Sequence, residues 1–244
     1  MRMHRPLARS LFRLMLAATA LLALSAPTHA ETDAYSEGLA AFEQGDYAET
    51  LTIIEPLARD GDAKAQALLA VMYDNGLGVS QSQEEAARWY GFAAAQGDAY
   101  SQHMLGRMYH LGRGVPQDDE LSARWMQKAA EQGNIQSQRS LGAFYHEGIG
   151  VEQNQEAAFH WFEQAAWQGD TESQLFVGLA YARGDGVHRD PIQAYMWLSV
   201  AEANGQESAK KWKEQEAQEM NPKQLEAAKK HAAEWRRKGP EHFQ

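Results

Sequence analysis

Apolar side chains recur along most of the chain at the spacing of an α-helix. They fall at positions i, i+3, i+4, i+7 and i+8, which places them along one helix face. Two consecutive examples are Ala65, Leu68, Leu69, Met72, Tyr73 and then Ser101, Met104, Leu105, Met108, Tyr109. After each such stripe comes a second one that contains a tryptophan, such as Ala86, Trp89, Tyr90 and Ala93. The pattern predicts successive pairs of amphipathic helices and an all-α fold.

The predicted helix pairs repeat with a period of 36 residues. A glycine, a tyrosine and a tryptophan column keep the same register through the copies. The positions are Gly61, Gly97, Gly133, Gly169 and Gly205, then Tyr73, Tyr109, Tyr145 and Tyr181, then Trp89, Trp125, Trp161 and Trp197. A fixed period of this length is typical of stacked supersecondary units rather than of one globular core. Such stacks offer long grooved surfaces, which favours binding over buried chemistry.

Capping residues set the boundaries of these units. An Asp or Asn precedes each first helix, as a favoured N-cap, and a glycine follows it, as suits a left-handed C-cap. The sequence therefore predicts four repeats, at 61–96, 97–132, 133–168 and 169–204. It also predicts a capping helix pair at 31–60, two capping helices at 205–238, and a disordered tail at 239–244.

Two motifs in each repeat resemble a known family. One reads Leu-Gly-x-x-Tyr-x-x-Gly-x-Gly-Val, and the other reads Ala-x-x-Trp-x-x-x-Ala-Ala-x-x-Gly. The second repeat shows them as Leu105, Gly106, Tyr109, Gly112, Gly114, Val115, Trp125, Ala129, Ala130 and Gly133, with Ser122 replacing the first Ala. The pattern resembles the Sel-one-like repeat, a longer-looped relative of the tetratricopeptide repeat, and residues 31–60 resemble one tetratricopeptide-like helix pair. The resemblance implies a right-handed α-solenoid of stacked antiparallel helix pairs, with about twelve helices.

The N-terminus has the pattern of a secretory signal peptide. Four arginines precede an uncharged apolar run from Leu14 to Leu24, and Thr28, His29 and Ala30 form a small-x-small cleavage site. We therefore interpret residues 1–30 as the signal peptide and expect a periplasmic protein without a stable membrane anchor after cleavage. The run is too short for a full membrane span. The chain contains no cysteine, so no disulfide supports the exported domain.

The chain beyond the signal peptide is strongly acidic. It holds 19 of the 23 basic residues and all 33 acidic ones, a formal net charge of −14. Because like charges repel, this balance disfavours nucleic acid and anionic membrane surfaces as partners. The charge is uneven, because the segment from Gly205 onward has nine basic and seven acidic residues.

The sequence shows no recognisable catalytic or cofactor motif. It lacks a cysteine nucleophile, a P-loop, G-x-S-x-G and H-E-x-x-H, and its Gly-x-Gly pairs follow helices rather than strands. We therefore predict no catalytic residues, no cofactor and no metal site. A glutamine column, at Gln66, Gln102, Gln138 and Gln174, fits structural hydrogen bonds better than a ligand ladder.

Variable positions on the first helix of each repeat give the candidate binding surface. These columns also keep helical spacing, opposite the packed stripe, and tetratricopeptide arrays use the corresponding face as their groove. We predict a protein or peptide site here, with Arg107 and Arg139 as leading anchors because guanidinium groups pair with carboxylates. The other candidates are Tyr100, His103, His110, His146 and Arg183. A merely solvated face is an equally open interpretation.

Tryptophans provide a further expectation. The repeated column, represented by Trp125, is predicted to be buried between helices. Trp167 stands outside that column, at a position held by Ala95, Glu131 and Ala203 in the other repeats. It is a candidate interface anchor, and repacking against the next repeat is the alternative.

The repeat architecture and the missing catalytic motifs favour a non-enzymatic adaptor or regulator of protein complexes, acting as a monomer. The resemblance leaves two alternatives. One is a hydrolase acting on cell-wall or β-lactam substrates, since cysteine-rich exported relatives are linked to penicillin binding, although this chain lacks their cysteines. The other is a secreted factor that contacts a host.

Overall fold

The computed structural model describes residues 29–238, in two compact units, Met1–Asn134 and Ile135–Gln244. The predicted tail at 239–244 and most of the predicted signal peptide lie outside the described residues, although His29 and Ala30 belong to the first helix. The described part of unit 1 contains α1 (His29–Gln44), α2 (Tyr47–Arg59), α3 (Ala63–Asn75), α4 (Gln83–Ala95), α5 (Ala99–Leu111) and α6 (Asp119–Glu131). That of unit 2 contains α7 (Ile135–Glu147), α8 (Gln155–Trp167), α9 (Thr171–Arg183), α10 (Pro191–Ala203), α11 (Ser208–Glu219) and α12 (Pro222–Lys238).

These twelve helices confirm the predicted all-α repeat fold. Each repeat supplies a first helix (α3, α5, α7 or α9) and a second helix (α4, α6, α8 or α10), which pack closely against each other. Within unit 1, α4 also packs on the next first helix, α5, and within unit 2, α8 packs on α9 in the same way. The first helices α5 and α9 therefore have neighbours on two sides, which leaves only part of their surface for a ligand.

The helix ends follow the capping chemistry that the sequence predicts. The Asp62 side chain accepts a hydrogen bond from the Ala65 amide at 2.7 Å, so it satisfies a backbone donor that the first turn leaves open. At the other end of α3, Gly76 has φ of +66° and closes the helix in the left-handed conformation. Asp98, Asp170 and the glycines Gly112 and Gly184 repeat this arrangement on α5 and α9.

Glycines in the middle of the first helices allow the two helices of a repeat to approach each other. A Cβ at Gly106 would lie 3.1 Å from Met126 Cγ, and one at Gly142 would lie 2.9 Å from the Phe162 ring. At Gly178 it would meet the Leu198 side chain at 2.8 Å. Glycine is otherwise unfavourable inside a helix, by about 1 kcal/mol relative to alanine. Close packing of the helix pairs is the physical reason for these three residues.

The ends of the two units are closed in different ways. In unit 1, α2 contributes Ile54 and Ala58 to the apolar core that α3 and α4 form. In unit 2, both α11 and α12 pack against α10, and Trp235 of α12 covers Trp197. None of the helices within residues 29–238 is both long and apolar enough to span a bilayer.

Candidate binding surfaces on the first helices

The glutamine column forms a structural hydrogen-bond ladder, as predicted. Gln66 donates from Nε2 to the Ala58 carbonyl at 3.1 Å, and its Oε1 accepts a hydrogen bond from Gln96 Nε2 at 2.8 Å. Gln102 and Gln174 donate to Ala94 and Ala166 in the same way, while Gln102, Gln138 and Gln174 accept from Gln132, Gln168 and Asn204. Because these amides are buried and engaged, they tie consecutive helices together rather than present themselves to a ligand.

The histidine column is held inside its own repeats. His110 Nδ1 lies 2.7 Å from Asp119 Oδ1, and His146 Nδ1 lies 2.8 Å from Gln155 Oε1. The first repeat has Asp74 in this column, and its carboxylate accepts from Gln83 Nε2 at 2.7 Å. Sequence reasoning missed this pairing. The available signal was that the residue nine positions later, which is Gln83, Asp119 or Gln155, is able to hydrogen-bond in each of these three repeats.

Two candidate residues, Tyr100 and His103, are buried instead of lying on an exposed face. His103 is 3% exposed, and Tyr100 packs edge-on against the buried Tyr90 of α4, with ring centroids 6.1 Å apart. Burial raises the pKa of both phenols, and the nearby charge of Arg107 acts in the opposite direction. The expectation that Tyr100 and His103 lie on an exposed helix face is therefore wrong, while their contact with a ligand stays a prediction.

Arg107 and its neighbours form the exposed part of α5, which we call the Arg107 surface (Arg107, Leu111 and Arg113). Arg107 is exposed, its Nη1 contacts Met104 Sδ at 3.7 Å, and it has no ion pair among the described residues. Leu111, one helical turn later, is 47% exposed. The structure thus places an uncompensated cation, Arg107, beside the exposed apolar side chain of Leu111, another variable position on the same helix face, and binding at this surface stays a prediction.

Arg139, the second leading anchor, is engaged within unit 2. Its Nη1 lies 3.2 Å from Asp170 Oδ2 and 3.1 Å from Glu172 Oε2. Asp170 is mostly buried and also caps α9 through the Ser173 amide. The charge of Arg139 is therefore balanced by two carboxylates at the beginning of α9, and its first role is to join α7 to α9.

A recessed pocket opens in unit 2 where α7, α8 and α9 meet, and we call it the Phe176 pocket. It measures about 60 Å³, and its lining includes His146, Phe159, Phe162, Phe176, Leu179 and Arg183. Phe162 and Phe176 stack with ring centroids 4.3 Å apart, and His146 meets the edge of Phe176 at 5.9 Å. Asp185 stands at the rim. Two predicted site residues, His146 and Arg183, thus meet at one site, whereas its phenylalanine floor was not foreseen.

Arg183 links this pocket to a cationic group around Trp212. The Arg183 guanidinium lies 5.3 Å from the Trp212 ring centroid, and Lys211 Nζ lies 5.4 Å from it. Neither cation has an ion pair among the described residues. By contrast, Arg189 contacts Glu216 and Glu219, and Lys213 pairs with Glu202. Arg183, at the edge of the Phe176 pocket, thus shares the Trp212 ring with a second cation, Lys211.

Trp167 is part of a tryptophan cluster rather than an isolated surface anchor. Its ring centroid lies 5.0 Å from that of Trp197 and 4.7 Å from that of Trp235. The alternative of local repacking therefore describes it better. The repeated tryptophan column also departs from expectation, because Trp197 is buried whereas Trp89, Trp125 and Trp161 are half-buried. In unit 2, α12 covers Trp197, and this is the physical reason for its burial.

The described residues contain no group of three or more His, Asp or Glu side chains that could hold a metal ion. The Phe176 pocket has the chemistry of side-chain recognition, with aromatic walls and a few polar groups at its edge. Gln155 donates from Nε2 to the His146 carbonyl, and this orients the Gln155 Oε1 atom toward His146 Nδ1. An amide oxygen only accepts, so His146 Nδ1 is the donor in this hydrogen bond.

Comparisons with known proteins identify the repeat. The Sel1 repeat matches residues 63–98, 99–134, 135–170 and 171–206, which begin two positions after the predicted boundaries. A Sel1 repeat protein from Oxalobacter formigenes is 29% identical over 77% of this chain and 86% of its own, with a TM-score of 0.66. The protective antigen c5321 of uropathogenic Escherichia coli, which displays an SLR fold, is 29% identical over 92% of this chain, with a TM-score of 0.72. This chain covers 48% of that antigen. No curated protein matched.

Proposed function

Because this chain belongs to the Sel1 repeat family, whose members generally mediate protein–protein interactions, we propose that it is a periplasmic adaptor or regulator. In this proposal it has no enzymatic activity, acts as a monomer, and binds a protein or peptide on its first helices. The Sel1 repeat is typically a non-enzymatic scaffold, which supports the first point. The periplasmic location rests on the signal-peptide pattern of residues 1–30.

The Phe176 pocket is the observation that carries the proposal. Recognition sites in proteins are concave and mostly apolar, with a small number of polar groups that fix orientation. The pocket has this composition, since stacked phenylalanines form its floor while Arg183 and Asp185 stand at its edge. Three of its residues, Leu179, Arg183 and Asp185, also differ from their equivalents in the other repeats, as expected of a surface that serves a partner rather than the fold.

Site-specific photocrosslinking in cells tests the proposal. A photoreactive amino acid is placed at Asp185, an exposed rim position, and the matched control carries it at Gln164, which is exposed on α8 and points about 200° away from Phe162 by helix geometry. We expect Asp185 to give one defined protein adduct, identified by mass spectrometry, and Gln164 to give none. The same adduct from both positions, or none from Asp185 in a correctly exported protein, would contradict the assignment.

Export is tested separately. The mature protein should begin at or very near Glu31 and should be recovered from the periplasmic fraction. N-terminal sequencing of the purified protein measures this directly. Protein that begins at Met1 and is recovered from the cytosol would overturn the periplasmic part of the proposal without affecting the binding part.

A further inference from the structure

The Phe176 pocket and its cationic edge together indicate the chemistry of the partner. We propose, building on the proposed adaptor function, that this site binds an acidic segment of a protein that carries an apolar or aromatic side chain. The apolar side chain enters the pocket, and flanking Asp or Glu side chains contact Arg183 and Lys211. Three observations support this assignment. They are the size of the pocket, the charged side chains beside it, and the nearby acids that are already paired with arginines.

The pocket has room for one side chain. Its volume of about 60 Å³ exceeds the roughly 10–15 Å³ that a cavity needs to hold one water molecule, but it is far below the roughly 300–1,000 Å³ of typical small-molecule sites. Stacked Phe162 and Phe176 form an apolar floor, and Phe159 packs edge-on against Tyr181 with ring centroids 5.3 Å apart. A cavity that encloses a whole benzene ring measures about 150 Å³, so this pocket suits a small branched aliphatic side chain or the inserted edge of an aromatic ring. A charged side chain would lose its hydration there without a partner.

Charge complementarity indicates which residues of the ligand flank its apolar side chain. Arg183 and Lys211 both approach the Trp212 ring and have no carboxylate partner among the described residues. A guanidinium in this position offers several N–H donors that suit carboxylates. Among the residues that line the pocket, Arg183 and Asp185 balance each other, and Lys211 beside Trp212 adds one positive charge next to Arg183.

The overall negative charge of the chain does not prevent acidic segments from binding here. At about 0.15 M salt the screening length is roughly 8 Å, so charges in direct contact dominate over distant ones. Several acids of unit 2 are also already paired, since Asp170 and Glu172 contact Arg139, and Glu219 contacts Arg189. What an incoming carboxylate meets first is Arg183 and Lys211.

The test uses the mature full-length protein and three fluorescein-labelled peptides of equal length. Their cores are Glu-Asp-Phe-Glu-Asp, Glu-Asp-Ala-Glu-Asp and Lys-Lys-Phe-Lys-Lys. Fluorescence anisotropy at about 0.15 M salt measures their affinities. We expect the acidic phenylalanine peptide to bind at least about tenfold more tightly than either of the others, because only it satisfies both the pocket and the cations. Equal affinities, or no binding of that peptide at millimolar concentration, would overturn the inference.

Charge reversal locates the binding. The double variant Arg183→Glu with Lys211→Glu should lose at least about tenfold in affinity for the acidic phenylalanine peptide. The matched control, Arg88→Glu with Arg124→Glu, makes the same change in net charge at two exposed positions on the second helices α4 and α6 of unit 1, outside the proposed binding surfaces, and should stay within about twofold. Equal losses in both variants would show that only net charge matters and would refute the site. Circular dichroism confirms that both variants fold.

The two proposals can fail separately. If crosslinking from Asp185 captures a defined protein but the acidic peptide shows no preference, the partner chemistry is wrong and the adaptor function stands. If the peptide binds as expected but Asp185 gives no adduct in cells, the site recognises this chemistry without the proposed cellular role, and the inference about a physiological partner is overturned.

Discussion

Two surfaces that occupy the same positions in the repeat pattern have opposite chemistry. In unit 1, α5 and the loop after it present Arg107, Leu111 and Arg113. Two repeats later, the equivalent residues of unit 2 are Leu179, Arg183 and Asp185. The layer beneath differs as well, because the buried Tyr90 of unit 1 corresponds to Phe162 at the floor of the Phe176 pocket.

The comparison separates what the fold requires from what it leaves open. The mid-helix glycines and the glutamine ladder are the same in unit 1 and unit 2, because they set the distance between helices. The side chains at the exposed end of each first helix do not set the distance between helices. Recognition can therefore change from one repeat to the next while the packing stays constant, which is why family membership alone does not name a partner.

The largest difference between the units is expected for the tryptophan column. Trp197 is 1% exposed and packs against Trp167 and Trp235, so Trp197→Ala should cost about 3–5 kcal/mol, as large core truncations do. Trp125 is half-buried and its ring lies under Lys128 Nζ at 4.1 Å, so Trp125→Ala should cost only about 1–2 kcal/mol. Urea unfolding followed by circular dichroism measures both values. Equal costs would show that α12 does not add to the burial of Trp197.

A glycine pair gives the next largest contrast. An added Cβ at Gly142 would meet the Phe162 ring at 2.9 Å, and that ring is stacked on Phe176, so Gly142→Ala should cost about 1–3 kcal/mol. At Gly106 the nearest atoms are Met126 Cγ at 3.1 Å, in a flexible side chain, and the Ser122 backbone oxygen at 3.2 Å, while the helix gains roughly 1 kcal/mol from alanine. Gly106→Ala should therefore cost less than Gly142→Ala. Thermal unfolding of the two variants checks the order, and a Gly106→Ala variant that is the less stable of the two would contradict it.

The repeat pattern was enough to predict the helix pairs, their caps and the structural role of the glutamines. Those features depend on local spacing and recur in each copy, so a single sequence contains them several times. The binding surface was predicted less well. Tyr100 and His103 have the helical spacing of an exposed face, but they turn toward the preceding repeat, and helical periodicity alone does not say which neighbour covers a face.

Two arginines show the same limit of prediction from helical periodicity. Arg107 and Arg139 look alike in sequence, yet Arg139 meets two carboxylates from α9, more than 30 residues away. The Phe176 pocket likewise combines residues from three helices. His146 and Arg183 stood out along the chain, but the stacked Phe162 and Phe176 did not. Tertiary contacts of this kind were not visible in the repeat pattern.

The ends of the units differ in how charge contributes to stability. The end of unit 2 places Glu216, whose side chain is 7% exposed, near Arg189. Burial raises the pKa of Glu216, and the attraction of Arg189 opposes this only in part. A carboxyl group with a raised folded-state pKa stabilises the fold when protonated, and this contribution is lost as the pH rises through the folded-state pKa.

Glu216→Gln should therefore raise the Tm at pH 7, and the advantage over the wild-type protein should shrink as the pH falls through the raised pKa toward the usual range of a glutamate. Glu219→Gln is the matched control, because Glu219 contacts the same arginine but is 53% exposed. It should give no gain at pH 7. Differential scanning calorimetry at several pH values measures both. A lower Tm for Glu216→Gln at pH 7 would mean that the attraction of Arg189 outweighs the cost of burial.

The smallest expected effect concerns the two arginines that the sequence could not tell apart. Arg139→Ala removes contacts to Asp170 and Glu172, and Asp170 is 13% exposed, so the substitution should cost up to about 1 kcal/mol. Arg107→Ala removes no ion pair among the described residues and should stay within about 0.5 kcal/mol of the wild-type protein. Double-mutant cycles with Asp170→Asn test whether the cost of Arg139→Ala arises from that pair. If Arg139→Ala is as harmless as Arg107→Ala, the contacts of Arg139 contribute nothing measurable, and this arginine would be as available to a ligand as Arg107.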